Sequence, residues 1–163
     1  MRAARAMLDL AIPAIAHWRL AEFPRCLSTE ELNRLIAACD GSTRSRRRDR
    51  AIVLLLSRLG LRAGDLAELR LTDIDWQNGT FHVTGKGRYQ VRMPLPQDAG
   101  EALLGYLECR PEVKHTDRIF LRNIAPFKPF VSGDGISSVV SRSLKRAGIQ
   151  SPARGAHLLR PKT

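Results

Sequence analysis

Four residues have types and contexts suited to holding and processing a phosphodiester: Arg62, Lys86, His157 and Arg160. An arginine fork can bind two phosphate oxygens at once, which a lysine cannot do. Lys86 stands in a Gly-Lys-Gly turn, from which its amine could protonate a leaving oxygen. His157 precedes Arg160 by three residues, so both would lie on one helical face and address the same phosphate. Together these groups would stabilise a phosphoryl-transfer transition state without a metal.

None of these features is specific alone. A single arginine after Gly-Leu is more often a surface or helix-terminal residue, and a Gly-Lys-Gly segment is usually only a turn. His-x-x-Arg also arises by chance in basic helices. The order and the context of the features therefore carry the interpretation.

The elements before Arg62 are predicted to be helices. Ser28 with Glu31 fits a capping box at the start of an amphipathic helix. The apolar run 51–56 is ambiguous between strand and helix by its period alone. Its continuation to Gly60, a natural helix stop, favours a buried central helix that ends just before Arg62.

A short helix with Asp65 in its first turn is predicted after Arg62, followed by a small sheet. Asn78-Gly79 predicts a two-residue hairpin, and the turn that holds Lys86 predicts a second one. The predicted strands are Thr72–Trp76, Thr80–Thr84 and Gln90–Leu95. Two further helices are predicted at Gln97–Arg110 and Ile136–Ala147, with a loop-rich segment between them that holds one short strand, Arg118–Leu121.

The charge of the chain favours a polyanionic partner. Its 163 residues carry 27 Lys and Arg against 16 Asp and Glu, a net charge of +11. The basic run 44–50 either contacts phosphates or forms a solvated helix face. A second basic face is predicted on the last helix, at Arg142, Lys145 and Arg146.

Scattered thiols and short apolar runs place the protein in the cytoplasm. Cys26, Cys39 and Cys109 are odd in number and have no zinc or dithiol spacing, which is typical of a reducing compartment. The longest apolar run, 51–56, is far shorter than the roughly 18 residues of a membrane span. We therefore expect no membrane partner.

Four motifs occur in one order: Arg-Ala-Gly-Asp-Leu-Ala-Glu-Leu at 62–69, Asp-Ile-Asp-Trp at 73–76, Gly-Lys-Gly at 85–87 with Arg-Met-Pro-Leu at 92–95, and His-Leu-Leu-Arg at 157–160. In this order and at these separations they resemble the catalytic domain of the tyrosine recombinases, the phage integrase family. The resemblance implies an α+β fold that is mainly helical, with a small three-stranded antiparallel sheet. Type IB topoisomerases share the catalytic logic and are a weaker alternative.

The resemblance also implies roles for single residues. Arg62 would be the first catalytic arginine and Asp65 its acidic companion, Lys86 the general acid, and His157 and Arg160 the pair that grips the scissile phosphate. In the family a later tyrosine attacks DNA, forms a 3′-phosphotyrosyl enzyme and frees a 5′-hydroxyl. The covalent bond keeps the phosphodiester energy, so no ATP is needed. Double-stranded DNA is the implied partner, and no cofactor or metal is implied.

The chain departs from this pattern after Arg160. The family continues with a helix, a further His or Trp and the nucleophilic Tyr, whereas residues 161–163 are Pro-Lys-Thr. Tyr89 and Tyr106 are poor substitutes, since the first sits in the lysine hairpin and the second suits a core position. We therefore expect no nucleophile, a catalytic domain at 26–163 that is truncated before it, and a linker or core-binding-domain remnant at 1–25.

Three functions fit these expectations. The first is a truncated integrase that holds DNA and is inactive alone. The second is a DNA-binding regulatory fragment, which occupies sites or pairs with a full-length recombinase that supplies the tyrosine in trans. The third is a decayed gene product, whose apolar surfaces at 51–59 and 136–144 would be exposed and drive self-association.

Overall fold

A computed structural model describes residues 26–84, 90–151 and 155–160. The predicted α+β fold is confirmed there: helices dominate, and one three-stranded antiparallel sheet has the order β1-β2-β3. The helices α1 to α5 span Thr29–Ala38, Arg44–Leu59, Ala63–Glu68, Gln97–Leu107 and Gly133–Arg146. The strands β1 to β3 span Ile74–Asp75, Thr80–Thr84 and Gln90–Pro94, and short 3-10 helices span Leu71–Asp73 and Ala156–Leu159. The predicted site residue Lys86 lies outside the described residues, as do the rejected nucleophile candidate Tyr89 and segment 1–25.

The predicted capping box begins α1. The Ser28 hydroxyl accepts from the Glu31 amide at 3.1 Å, and the Ser28 amide donates to the Glu31 carboxylate at 2.9 Å. Two of the free amides at the helix start are thereby satisfied. Leu35 on the inner side of α1 is fully buried, so the second half of the helix packs on the core.

The ambiguous apolar run is the middle of the central helix α2. Residues 51–56 are each at most 1% exposed, so every side of the helix is covered there. The helix ends at Gly60, which has a left-handed φ of 62° and whose amide donates to the Leu56 carbonyl at 3.1 Å. A residue with a Cβ is strained in that conformation. The buried central helix and its stop are confirmed.

The basic run 44–50 forms the first two turns of α2 and is used inside the protein. Each of its five arginines donates to a protein group, so it is not simply a solvated face. The acceptors for Arg44, Arg46, Arg47, Arg48 and Arg50 are respectively the carbonyls of Asn123, Ala38, Gly105 and Leu121 and the carboxylate of Asp40. These bonds join α2 to α1, to the end of α4 and to the segment before α5.

A buried ion cluster links α2 to α5. Arg48 and Asp49 are both only 3% exposed, and Arg48 donates to one Asp49 oxygen at 2.7 and 3.1 Å. Arg146 donates to the other Asp49 oxygen at 3.2 Å. One carboxylate therefore serves two guanidiniums where the two helices meet.

The first hairpin is longer than its sequence predicts. Asp75 pairs with Thr80, which leaves a four-residue connection, 76–79, in place of the expected two-residue Asn-Gly turn. Asp75 accepts from the amide and the side-chain nitrogen of Asn78 at 3.0 and 2.7 Å, and these bonds lower the pKa of Asp75. Because the Asp75 side chain closes the turn through Asn78, only Gly79 adopts a positive φ, of 59°. The predicted first strand also shortens, since 71–73 form a 3-10 turn.

Several predicted boundaries differ from the structure. The predicted strand at 118–121 is wrong: Arg118 and Leu121 make only isolated bridges, to Arg70 and Pro129. Helix α4 ends at Leu107, three residues before the predicted end. Helix α5 begins three residues early, because the Ser132 hydroxyl accepts from the Asp134 amide and caps it.

Most of the apolar surface expected to be exposed is covered. The apolar residues of α5 are at most 5% exposed, and they join the same core as residues 51–56. The exposure expected of a decayed product is therefore wrong for the described residues. None of their helices combines the length and apolarity needed to cross a membrane.

Candidate functional site

The chain on both sides of Arg62 is fixed, while its side chain is exposed. Leu61 before it is only 5% exposed, and Leu66 after it is fully buried. Arg62 itself caps α3 with an extended backbone, and its carbonyl accepts from the Leu66 amide at 3.0 Å. The turn from Gly60 into α3 thus presents the guanidinium at the surface.

Arg160, the last described residue, is presented in a similar way. It follows the 3-10 helix Ala156–Leu159, whose Leu158 and Leu159 are 1% and 5% exposed. The Leu27 amide donates to the Leu158 carbonyl at 3.4 Å, and the Cys26 thiol donates to the Arg160 carbonyl at 3.6 Å. The exposed arginine therefore stands on a backbone that is tied to the segment before α1.

Arg62 and Arg160 line one open cavity of about 210 Å³, and Asp65 lies in its wall. Neither arginine side chain forms a hydrogen bond or ion pair with another residue in the described ranges. Their forked donors are consequently available to a ligand that lies between them. A tetrahedral oxyanion has enough oxygens to accept from both guanidiniums.

The described part of this wall does not include His157. His157 is exposed but is not among the residues that line the cavity. The predicted common helical face with Arg160 is also incomplete, because the 3-10 helix ends at Leu159 and Arg160 is extended. Lys86 is outside the described residues, although the strands on either side of its segment both contribute to the cavity.

An apolar wall of the cavity was missed by sequence reasoning. It consists of Val83 on β2 with Val91 and Met93 on β3. Val83 pairs directly with Val91, and Val91 and Met93 are two residues apart, so all three share one face of the sheet. That alternation was the signal available in the sequence. Apolar side chains beside the arginines reduce competing water and strengthen contacts to an anion.

Tyr106 has a core position, as predicted. Its ring is 1% exposed and stacks on Phe120 with the ring centroids 5.6 Å apart. Its hydroxyl accepts from the Leu121 amide at 3.2 Å, and burial raises its pKa. A phenol in this environment is poorly placed to attack a DNA phosphate.

The predicted basic face of α5 is smaller than expected. Arg142 and Lys145 are exposed and have no bonding partner in the described ranges. Arg146 instead donates to Asp49 and to the Ser143 hydroxyl, at 3.2 and 2.9 Å. Two cations, not three, are thus available on that face.

Comparison with known protein families and sequences shows what this chain is similar to. The model of the phage integrase family matches residues 25–162. The "Putative integrase/recombinase y4rA" of Sinorhizobium fredii is 44% identical over 155 residues, covering 94% of this chain and 37% of that protein. The tyrosine recombinase XerA of Thermococcus kodakarensis is 30% identical over 128 residues, covering 78% and 44%. The chain thus spans less than half the length of these relatives.

Solved structures agree with these matches. The crystal structure of XerA recombinase superposes with a TM-score of 0.73 at 29% identity, covering 95% of this chain and 53% of that one. The post-cleavage complex of XerH recombinase with its difH substrate gives 0.66 at 25% identity, covering 84% and 40%. Both cover most of the chain described above.

Proposed function

The chain belongs to the phage integrase family, and we propose that it binds duplex DNA by holding a backbone phosphate between Arg62 and Arg160. The shared cavity of these two arginines is the observation that carries the proposal. They are far apart in the sequence, yet neither guanidinium has a hydrogen-bonding partner in the described ranges. The net charge of +11 supports a polyanionic ligand, and the DNA complex of the XerH neighbour supports duplex DNA.

The site would serve phosphoryl transfer when a tyrosine nucleophile is present. The two arginines would each bind non-bridging oxygens of the phosphate and stabilise the charge that develops there. A tyrosine oxygen would form the new bond to phosphorus while the bond to the 5′-oxygen breaks. Lys86 would give its proton to that oxygen, and His157 would support the phosphate from beside Arg160. Asp65 would orient the arginine that it accompanies.

The nucleophile is proposed to come from outside these 163 residues. Tyr106 is buried and bonded to the Leu121 amide, which supports this view. Tyr89 is too close in sequence to the general acid Lys86 to take the second role. On this proposal the 163-residue polypeptide binds DNA but forms no covalent DNA adduct alone, and a full-length recombinase is the partner that provides the tyrosine.

The protein is proposed to work in the cytoplasm. Cys39 and Cys109 carry thiols that form no disulfide within the described residues, and such thiols are typical of a reducing compartment.

The DNA-binding proposal is tested by replacing the two arginines. Arg62→Ala and Arg160→Ala should each weaken binding to a fluorescent duplex, and each should reduce the slope of log affinity against log salt by about 0.9 per lost phosphate contact. The control is Arg70→Ala, which removes a surface arginine already paired with Asp117 at 2.9 Å. The proposal is wrong if the two site variants bind as the control does.

The second test concerns the covalent step. The polypeptide is incubated with a nicked suicide duplex and examined for a protein–DNA adduct that survives denaturing gels. We expect none. An adduct that Tyr89→Phe abolishes would place the nucleophile within the chain and contradict this part of the proposal.

A further inference from the structure

The backbone of α3 approaches α5 very closely at Gly133. A Cβ on this residue would lie 2.8 Å from the Gly64 nitrogen and 3.1 Å from both the carbonyl carbon and the Cβ of Ala63. Real Cβ atoms do not come within 3.0 Å of a neighbour, and two of these three atoms belong to the backbone and cannot rotate away. Gly133 is the first residue of α5, and Ala63 and Gly64 are the first two of α3. The turn that follows Arg62 therefore rests directly on the start of α5.

The same end of α5 also contacts the segment before Arg160. Ser137 lies one turn after Gly133, on the same helical side. A Cβ on Gly155 would lie 3.3 Å from the Ser137 Cβ and 3.5 Å from its hydroxyl. Gly155 has a φ of 104° and is the N-cap of the 3-10 helix that leads to Arg160. The first turn of α5 thus contacts both segments that lead to the site arginines, the start of α3 beside Arg62 and Gly155 before Arg160.

We propose that Gly133 and Ser137 position the two arginines, so that the first turn of α5 sets the spacing between the guanidiniums of Arg62 and Arg160. This rests on the proposed function, in which both arginines hold one phosphate. Neither Gly133 nor Ser137 lines the cavity, so they act through the arginines and not on the ligand.

On this proposal the contact reaches Arg62 because a backbone hydrogen bond joins Arg62 to the first turn of α3. This helix has only six residues, and its Leu66 amide is bonded to the Arg62 carbonyl. A Cβ at Gly133 would push the first turn away from α5, and Arg62 would move with it. Arg160, which stands on a different segment, would not follow. The two guanidiniums would then no longer fit the oxygens of one phosphate.

A purely structural role for Gly133 makes a different prediction. Close packing alone would lower stability and leave the DNA affinity of the folded protein unchanged. A positioning role instead makes the effect on binding depend on Arg62. Two changes that act through the same contact are not additive, whereas independent changes are.

The experiment measures duplex DNA affinity and its salt slope for Gly133→Ala, Arg62→Ala and the double variant, using folded protein verified by circular dichroism. Gly133→Ala should lose about tenfold in affinity, as expected for losing a hydrogen bond to a charged group. In the Arg62→Ala background it should cause no further loss. The matched control is Gly105→Ala, where an added Cβ meets no atom within 4 Å, and its affinity should stay unchanged.

The outcomes separate the two proposals. If Arg62→Ala itself binds normally, the proposed phosphate site is wrong. If Arg62→Ala weakens binding but folded Gly133→Ala does not, or does so equally in both backgrounds, the positioning role is wrong. Should Gly133→Ala fail to fold, Ser137→Val tests the other contact. It should weaken binding in the wild type and add nothing to Arg160→Ala, and additive losses would overturn the proposal.

Discussion

Arg146 Nη2 lies 3.2 Å from Asp49 Oδ2, and this ion pair joins α5 to the central helix. The other Asp49 oxygen is occupied by Arg48, its neighbour in sequence. Asp49 and Arg48 are almost fully buried, so this carboxylate is the counter-charge for two guanidiniums of the basic chain. Removing one partner of a buried pair leaves the other charge uncompensated, which costs more than the pair itself contributes.

Asp49→Asn should therefore destabilise the fold strongly. The neutral amide leaves Arg48 buried without a counter-ion, and we expect a loss of about 3–5 kcal/mol in the free energy of unfolding, measured by urea titration. The control is Asp40→Asn, whose carboxylate pairs with Arg50 and has a 63% exposed side chain. That change should cost less than about 1 kcal/mol. Equal losses in the two variants would contradict the central role of Asp49.

Local signals explain which parts of the fold could be predicted. The Ser28–Glu31 capping box and the stop at Gly60 depend on residues close in sequence, and both appear as predicted. The prediction of a two-residue Asn-Gly turn was wrong because Asp75 bonds to Asn78 and stabilises a longer connection. The Asn-Gly pair by itself gives no information about this side-chain bond.

Features that depend on distant residues were not predicted. The basic run 44–50 was predicted to contact phosphates or solvent, and its bonds within the protein were missed. Acceptors such as the carbonyls of Asn123 and Leu121 are far along the chain. The pairing of Arg62 with Arg160 was expected only from the order of family motifs. Nothing in the spacing of two residues so far apart predicts that they line one cavity, and the contact of Gly133 with α3 has no local signal either.

Tyr106→Phe should lower stability without affecting DNA chemistry. The change removes the acceptor of the buried Leu121 amide, and an unsatisfied buried donor costs about 1–3 kcal/mol. Urea unfolding should show this loss, while binding to duplex DNA stays unchanged. A variant with full stability but altered DNA binding would place Tyr106 in the site and contradict its core position.

Ionisation of Tyr106 should also make the fold sensitive to alkali. Burial raises the pKa of Tyr106 in the folded state, so the unfolded chain loses its phenol proton first. Stability contributed by the neutral phenol is then present below the unfolded pKa of about 10 and is lost as pH rises above it. Tyr106→Phe should lose less stability than the wild type over this range in urea titrations. Equal losses would show that another group causes the alkaline effect.

The Arg70–Asp117 pair should contribute to acid sensitivity. Hydrogen bonds from Arg70 lower the pKa of Asp117 in the folded state. Its contribution is therefore present above the unfolded pKa of about 4 and is lost as pH falls through the lower folded value. Asp117→Asn should lose less stability than the wild type between neutral and acid pH, and Arg70→Gln should behave similarly. If the double variant shows the sum of both effects, the two residues do not act as a pair.

Replacing Arg47 on α2 and Arg142 on α5 should show which basic residues stabilise the fold and which bind DNA. Arg47 donates to the Gly105 carbonyl and to Glu108, so Arg47→Ala should cost about 1 kcal/mol of stability and leave the salt slope of DNA binding unchanged. Arg142 is exposed on α5 without a partner in the described ranges, so Arg142→Ala should change stability by less than about 0.5 kcal/mol. If this face of α5 contacts DNA, Arg142→Ala should also reduce the salt slope of DNA binding by about 0.9, the value for one phosphate contact. Urea unfolding measures the stability of both variants, and salt titrations measure their DNA binding. A reduced slope in Arg47→Ala alone would return the basic run to the DNA interface and remove α5 from it.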